Sequence, residues 1–135
     1  EKEIQQRALE VLDFLRLSDL LHELAGNLSG GQKKLLELGR AMMAEPQIIL
    51  LDEPGAGVNP TLLGDLADMI ERLNRERGYT FCIIEHNMDM IARLCNPVIV
   101  MAEGSVLTEG TMSAVRADPR VLDAYLGGDA VPDEN

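Results

Sequence analysis

Apolar residues recur at helical spacing near the start of the chain. Ile4, Ala8, Val11, Leu12 and Leu15 predict an amphipathic helix over residues 2–16. A shorter helix is expected over 19–24, stopped at Gly26. A longer one opens at Ser29-Gly30-Gly31-Gln32, carries Leu35, Leu36, Leu38, Ala41, Met42 and Met43, and ends before Pro46. Ile48-Ile49-Leu50-Leu51 breaks the periodicity, and four consecutive apolar residues are the pattern of a parallel strand covered on both faces. Asn59 and Pro60 suit the cap and first residue of a helix with Leu62, Leu66, Ile70 and Leu73 on one stripe. Arg75, Arg77 and Gly78 suit its end.

A second buried strand is expected over 80–85, followed by a short helix from Asn87 through Leu94. A third strand over 97–101 turns at Glu103-Gly104 into a fourth over 106–109. Two short helices follow, one after Thr111 and one after Asp118-Pro119, and the tail 129–135 is expected to be disordered. Strands alternating with helices predict an α/β fold with a mainly parallel sheet. In such sheets chemistry gathers at the carboxyl ends of the strands, where Asp52-Glu53 and Glu85-His86 fall.

Composition narrows the function. Twelve Lys and Arg against 23 Asp and Glu give 135 residues a net charge of −11. That acidity argues against a duplex-coating nucleic-acid binder and a polybasic membrane-surface protein. No apolar run approaches the ~20 residues of a membrane helix. The start at Glu1 suggests a processed or truncated product. Cys82 and Cys95 form no CxxC pair and suit reduced thiols, and His22 and His86 lie too far apart to suggest a zinc site.

Three constellations carry candidate chemistry. Ser29-x-x-Gln32 has capping-box spacing, and a plain cap is one reading. The two glycines inside it support another, in which Ser29, Gly31 and neighbouring amides contact a γ-phosphate. Asp52 and Glu53 at a strand end either terminate the strand or serve Mg²⁺ and an attacking water, with Glu53 as general base. His86 is either a structural residue or a hydrogen-bond donor to a transferring phosphoryl group. Glu85 beside it reads as solvated or as a structural partner.

Together these residues resemble the ATPase subunit of ABC transporters. Leu28-Ser29-Gly30-Gly31-Gln32 matches the family's signature motif, and 48–52 its Walker B strand. Asp52 then falls on the Mg²⁺ aspartate, Glu53 on the catalytic glutamate, and His86 on the switch histidine. Ala56, Gly57, Val58 and Asn59 fall in the D-loop, where Asn59 replaces the aspartate of many relatives. Residues 56–60, 84–88 and 121–127 look like the importers of branched-chain amino acids.

The resemblance implies a partial P-loop NTPase fold. Residues 1–45 would be part of the helical subdomain, and 46–128 the C-terminal part of the α/β core. The Walker A half is absent: Lys2, Lys33 and Lys34 are the lysines, and none follows a glycine. ATP and Mg²⁺ are the implied cofactors of the intact subunit, and the chain alone is expected to be inactive. The implied partners are a second ATPase subunit, head to tail, and transmembrane permease subunits, with no nucleic acid and no membrane insertion. The implied location is cytoplasmic, peripheral on the inner face of the cell membrane. Alternatives are a non-catalytic interaction module and a fragment of a DNA-repair or chromosome ATPase. The family's Walker A strand lies between the strands at 80–85 and 97–101, so its loss predicts rearranged pairing or a swapped oligomer.

Overall fold

A computed structural model describes residues 1–125. The expected tail at 129–135 and the end of the 121–127 motif lie outside the described residues. The chain divides into two compact units, Glu1–Asn87 and a second from Met88 onward. That division falls inside the expected core segment 46–128.

The first unit opens with α1 (Lys2–Phe14). It ends two residues before the expected 16, because Arg16 takes a left-handed φ of 58°. The Leu17 N–H then returns to the Leu12 carbonyl at 2.8 Å and the Arg16 N–H to Asp13 at 3.0 Å. This is a Schellman closure without its usual glycine, and it brings Leu15 and Leu17 into the core. The helix expected over 19–24 does not form. Ser18–Leu20 and Ala25–Asn27 are single 3₁₀ turns with no side-chain cap bond at either, and the Ser18 hydroxyl faces back to Asp13 Oδ1 at 3.5 Å.

Helix α2 (Gly30–Met42) packs closely on α1, since a Cβ at Gly39 would stand 2.7 Å from Leu15 Cδ1. Strand β1 (Ile48–Asp52) leads into α3 (Pro60–Arg77). Asn59 Oδ1 accepts the Leu62 N–H at 2.9 Å, and Gly78 closes α3 at a φ of 72°. Leu66, Ala67, Met69, Ile70 and Leu73 are buried along α3. The guanidinium groups of Arg72 and Arg77 lie 4.3 and 5.0 Å from the Phe14 ring centre.

Strand β2 (Thr80–Ile84) pairs with β1 in parallel, from Ile48 opposite Thr80 to Asp52 opposite Ile84. Ile49 is buried and Leu51, Phe81 and Ile83 are half-buried on one face. Ile48, Leu50 and Ile84 on the other are 58, 76 and 62% exposed. The expectation that β1 is covered on both faces is therefore corrected: within this chain one face is bare.

The second unit holds α4 (Met88–Leu94), β3 (Val98–Ala102), β4 (Ser105–Gly110), α5 (Met112–Ala117) and α6 (Pro119–Tyr125). Positive φ at both Glu103 (50°) and Gly104 (76°) makes the β3–β4 connection a type I′ hairpin turn. Val98, Val100, Val115 and Val121 form its core, with Ile91, Cys95, Leu107 and Met112 packed around them.

The α/β class expected from sequence is present, with strands and helices in the expected order. The sheet itself is two pairs, β1–β2 parallel and β3–β4 antiparallel. Strands β2 and β3 belong to different sheets, so the expected re-pairing does not occur among the described residues.

Candidate functional site

The candidate residues from 28 to 86 all belong to the first unit. Ser29 has extended backbone and caps α2: its Oγ accepts the Gln32 N–H at 3.2 Å, and Gln32 Oε1 accepts the Ser29 N–H at 2.9 Å. The capping box is thus fully formed, and the Ser29 hydroxyl keeps its proton to donate. The two glycines differ. Gly30 is exposed, whereas Gly31 is buried, and a Cβ on it would meet Leu62 Cδ1 at 2.8 Å. Gly31 therefore serves the close approach of α2 to α3. Leu28 just before the cap is half-buried.

The start of α2 and the loop after β1 lie together, since a Cβ at Gly30 would stand 3.8 Å from the Gly57 carbonyl. In that loop Ala56, Gly57 and Asn59 are exposed and Val58 is half-buried. Gly57 has a φ of 71°, a conformation in which glycine carries no steric cost.

Glu53 has a φ of 44°, sparsely populated for a residue with a side chain. Its N–H donates to the Ile84 carbonyl at 2.8 Å, one step beyond the last paired residues of the ladder. That extension places Glu53 beside the residues following β2. Glu53 Oε1 is 3.6 Å from His86 Nδ1, an ion-pair distance when the imidazole is protonated. The two side chains are 52 and 75% exposed, so they stand on open surface. Asp52 is exposed and its side chain has no hydrogen bond or ion pair among the described residues.

No cluster of three or more His, Cys, Asp or Glu able to hold a metal occurs among the described residues. Asp52 fits Mg²⁺ in a narrower sense. Its hard oxygens are unengaged at a strand end, and Mg²⁺ commonly takes one or two carboxylates with phosphate and water completing the shell. Clefts of about 250 and 450 Å³ border this region, one lined by Asp52 and the other by Gly31 and Gln32. Neither is lined by Glu53 or His86.

Of the two readings of Glu85, solvated or a structural partner, the second holds: it bonds to both loops. Its Oε1 accepts the Gly55 N–H at 2.8 Å, and its Oε2 accepts the N–H groups of His86 and Asn87 at 3.1 and 3.2 Å. The available signal was a carboxylate just past a strand end, directly before His86.

Residues 1–56 match the ABC transporter family model, and residues 105–131 match that of the branched-chain amino acid ATP-binding cassette transporter. The probable branched-chain amino acid transport ATP-binding protein LivG of Archaeoglobus fulgidus is 42% identical over 127 residues, 94% of this chain and 49% of that protein. The chain is a relative of the ABC transporter ATP-binding proteins. The high-affinity branched-chain amino acid transport ATP-binding protein BraF of Pseudomonas aeruginosa is 37% identical over 94% of the chain and 50% of its own length. Among solved structures, MJ1267, an ATP-binding cassette of an ABC transporter in its ADP conformation, is similar with a TM-score of 0.87. It is 41% identical, over 94% of this chain and 51% of that one. The chain spans about half the length of the curated ABC relatives it matches. No described helix is long and apolar enough to cross a membrane.

Proposed function

We propose that this chain is the C-terminal half of the ATP-hydrolysing subunit of an ABC importer for branched-chain amino acids. The observation that carries the reading is the gathering of Asp52, Glu53 and His86 at one sheet edge, with Glu53 and His86 3.6 Å apart. In the intact subunit Asp52 would hold Mg²⁺, which neutralises phosphate charge when bound. Glu53 accepts a proton from the attacking water, and His86 donates a hydrogen bond to the transferring phosphoryl group. The half-exposed Glu53 needs a further segment to exclude bulk water from this step.

The open start of α2 suits contact in trans. Ser29, Gly30, Gly31 and Gln32 of one copy would cover nucleotide held by a second copy, head to tail, with Leu28 supporting the turn. Ser29 Oγ, which keeps its proton, is one donor available to phosphate beside the first-turn amides of α2. Residues 56–59 adjoin this turn and belong to the same dimer face. The match over 105–131 and the names of the relatives support branched-chain amino acids as cargo. The assembly would then include permease subunits and sit on the cytoplasmic face of the cell membrane. The chain by itself, without a phosphate-binding loop, would be inactive.

Reconstituting the intact subunit with its permeases in vesicles tests this reading. ATP-dependent leucine uptake is expected, and hydrolysis without uptake of any branched-chain amino acid contradicts the cargo. Calorimetry of Mg-ATP with the 135-residue chain tests its inactivity: no binding heat is expected, and saturable binding overturns it.

A further inference from the structure

Strands β1 and β2 stop sharing backbone hydrogen bonds once the Glu53 N–H has reached the Ile84 carbonyl. Beyond that point the two loops diverge, and each is left with N–H groups that the ladder no longer pairs. Glu85 takes over there. It is half-buried, and its two carboxylate oxygens serve different loops. One accepts from Gly55, two residues after Glu53; the other accepts from His86 and Asn87. Charge-assisted bonds of this kind are roughly twice as strong as neutral ones. A glutamate reaches both loops, and an uncharged amide cannot, because its nitrogen has no lone pair to offer an N–H.

We infer that Glu85 is a positioning residue that fixes the separation of Glu53 and His86. The inference rests on the hydrolytic role proposed for those two residues. Both depend on the staple for different reasons: Glu53 holds a strained backbone conformation, and His86 has a largely exposed side chain with little packing around it. Releasing Gly55 on one side and His86 on the other lets the two reacting groups drift apart.

The test uses the intact subunit, with Mg-ATP turnover and affinity measured for Glu85→Gln, Glu85→Asp, His86→Ala and Glu85→Gln/His86→Ala. Gln keeps the size but cannot accept on both sides, and Asp keeps the charge but is too short to span the loops. Either variant is expected to lose about 10- to 100-fold in kcat with KM within about twofold, as misplacement of reacting groups does. In the His86→Ala background the Gln substitution is expected to cost less than it does in wild type, because the part of its effect that passes through His86 is already lost while the part that passes through Glu53 remains. Wild-type kcat in Glu85→Gln or Glu85→Asp overturns the inference. So does a full multiplicative loss in the double variant, which marks a general folding role. An intact wild-type subunit without turnover overturns the hydrolytic reading, and this inference with it.

Discussion

A Cβ at Gly31 would lie 2.8 Å from Leu62 Cδ1 and 3.0 Å from Leu62 Cβ, so the second glycine of the signature turn is where α2 meets α3. The contact joins the start of α2 to the first turn of the helix that Asn59 caps. Gly31→Ala is expected to destabilise the intact subunit by about 1–3 kcal/mol, the usual cost of overpacking. Gly30→Ala, with 3.8 Å of room, is expected to cost less. Urea unfolding of Gly31→Ala, Leu62→Ala and the double variant checks the mechanism. Truncating Leu62 should recover part of the Gly31→Ala loss, and simple additivity would contradict the contact.

Ser29 holds two roles that one substitution separates. Ser29→Asp preserves an N-cap acceptor for the Gln32 N–H, so stability should stay within about 1 kcal/mol of wild type. The added carboxylate would face phosphate across the dimer and should suppress ATP turnover. Ser29→Asp with unchanged turnover removes Ser29 from the phosphate contact.

Those capping signals were the legible part of the chain. Ser29-x-x-Gln32, Asn59-Pro60, Gly78 and Glu103-Gly104 each act within a few residues, and each forms as its local chemistry dictates. The end of α1 was not legible, because Arg16 adopts a left-handed φ that glycine usually marks. The 19–24 segment has Ser18 at its cap position, but that hydroxyl lies 3.5 Å from Asp13 Oδ1 and only a 3₁₀ turn forms there. Leu50 shows a different limit: an apolar run reports that both faces can be covered, yet in this half-length chain one face is bare. The sequence offers a structural role for Glu85 but not its reach to Gly55, 30 residues away and brought near by the β1–β2 register.

Glu53 lies at a φ of 44°, so its backbone preference can be measured apart from its carboxylate. In the intact subunit Glu53→Gly should be more stable than Glu53→Ala by about 0.5–1 kcal/mol. Relief of left-handed strain outweighs the greater unfolded-state freedom of glycine. Both variants should be inactive. Chemical denaturation in which Ala matches or exceeds Gly would contradict the strain.

Asp118 supplies a pH signature for the second unit. The side-chain hydrogen bond from Arg120 is the main cause lowering its carboxyl from 3.8 to about 2, aided by the Arg120 backbone N–H at 2.9 Å. A depressed acid stabilises the fold fully above its unfolded value, and that contribution fades as pH falls from about 4 toward 2. Carboxyl-carbon NMR titration should find Asp118 ionised at pH 3, and Arg120→Met should raise its midpoint. An unshifted midpoint in the variant would contradict the pairing.

The central claim is that Glu53, held beside His86, serves ATP hydrolysis in the intact subunit. The most direct measurement is Mg-ATP binding and turnover by that subunit carrying Glu53→Gln. The expected result is affinity within about threefold of wild type with turnover reduced at least about 100-fold, the loss of a general base. Turnover near the wild-type rate would contradict the assignment of Glu53 and the account built on it.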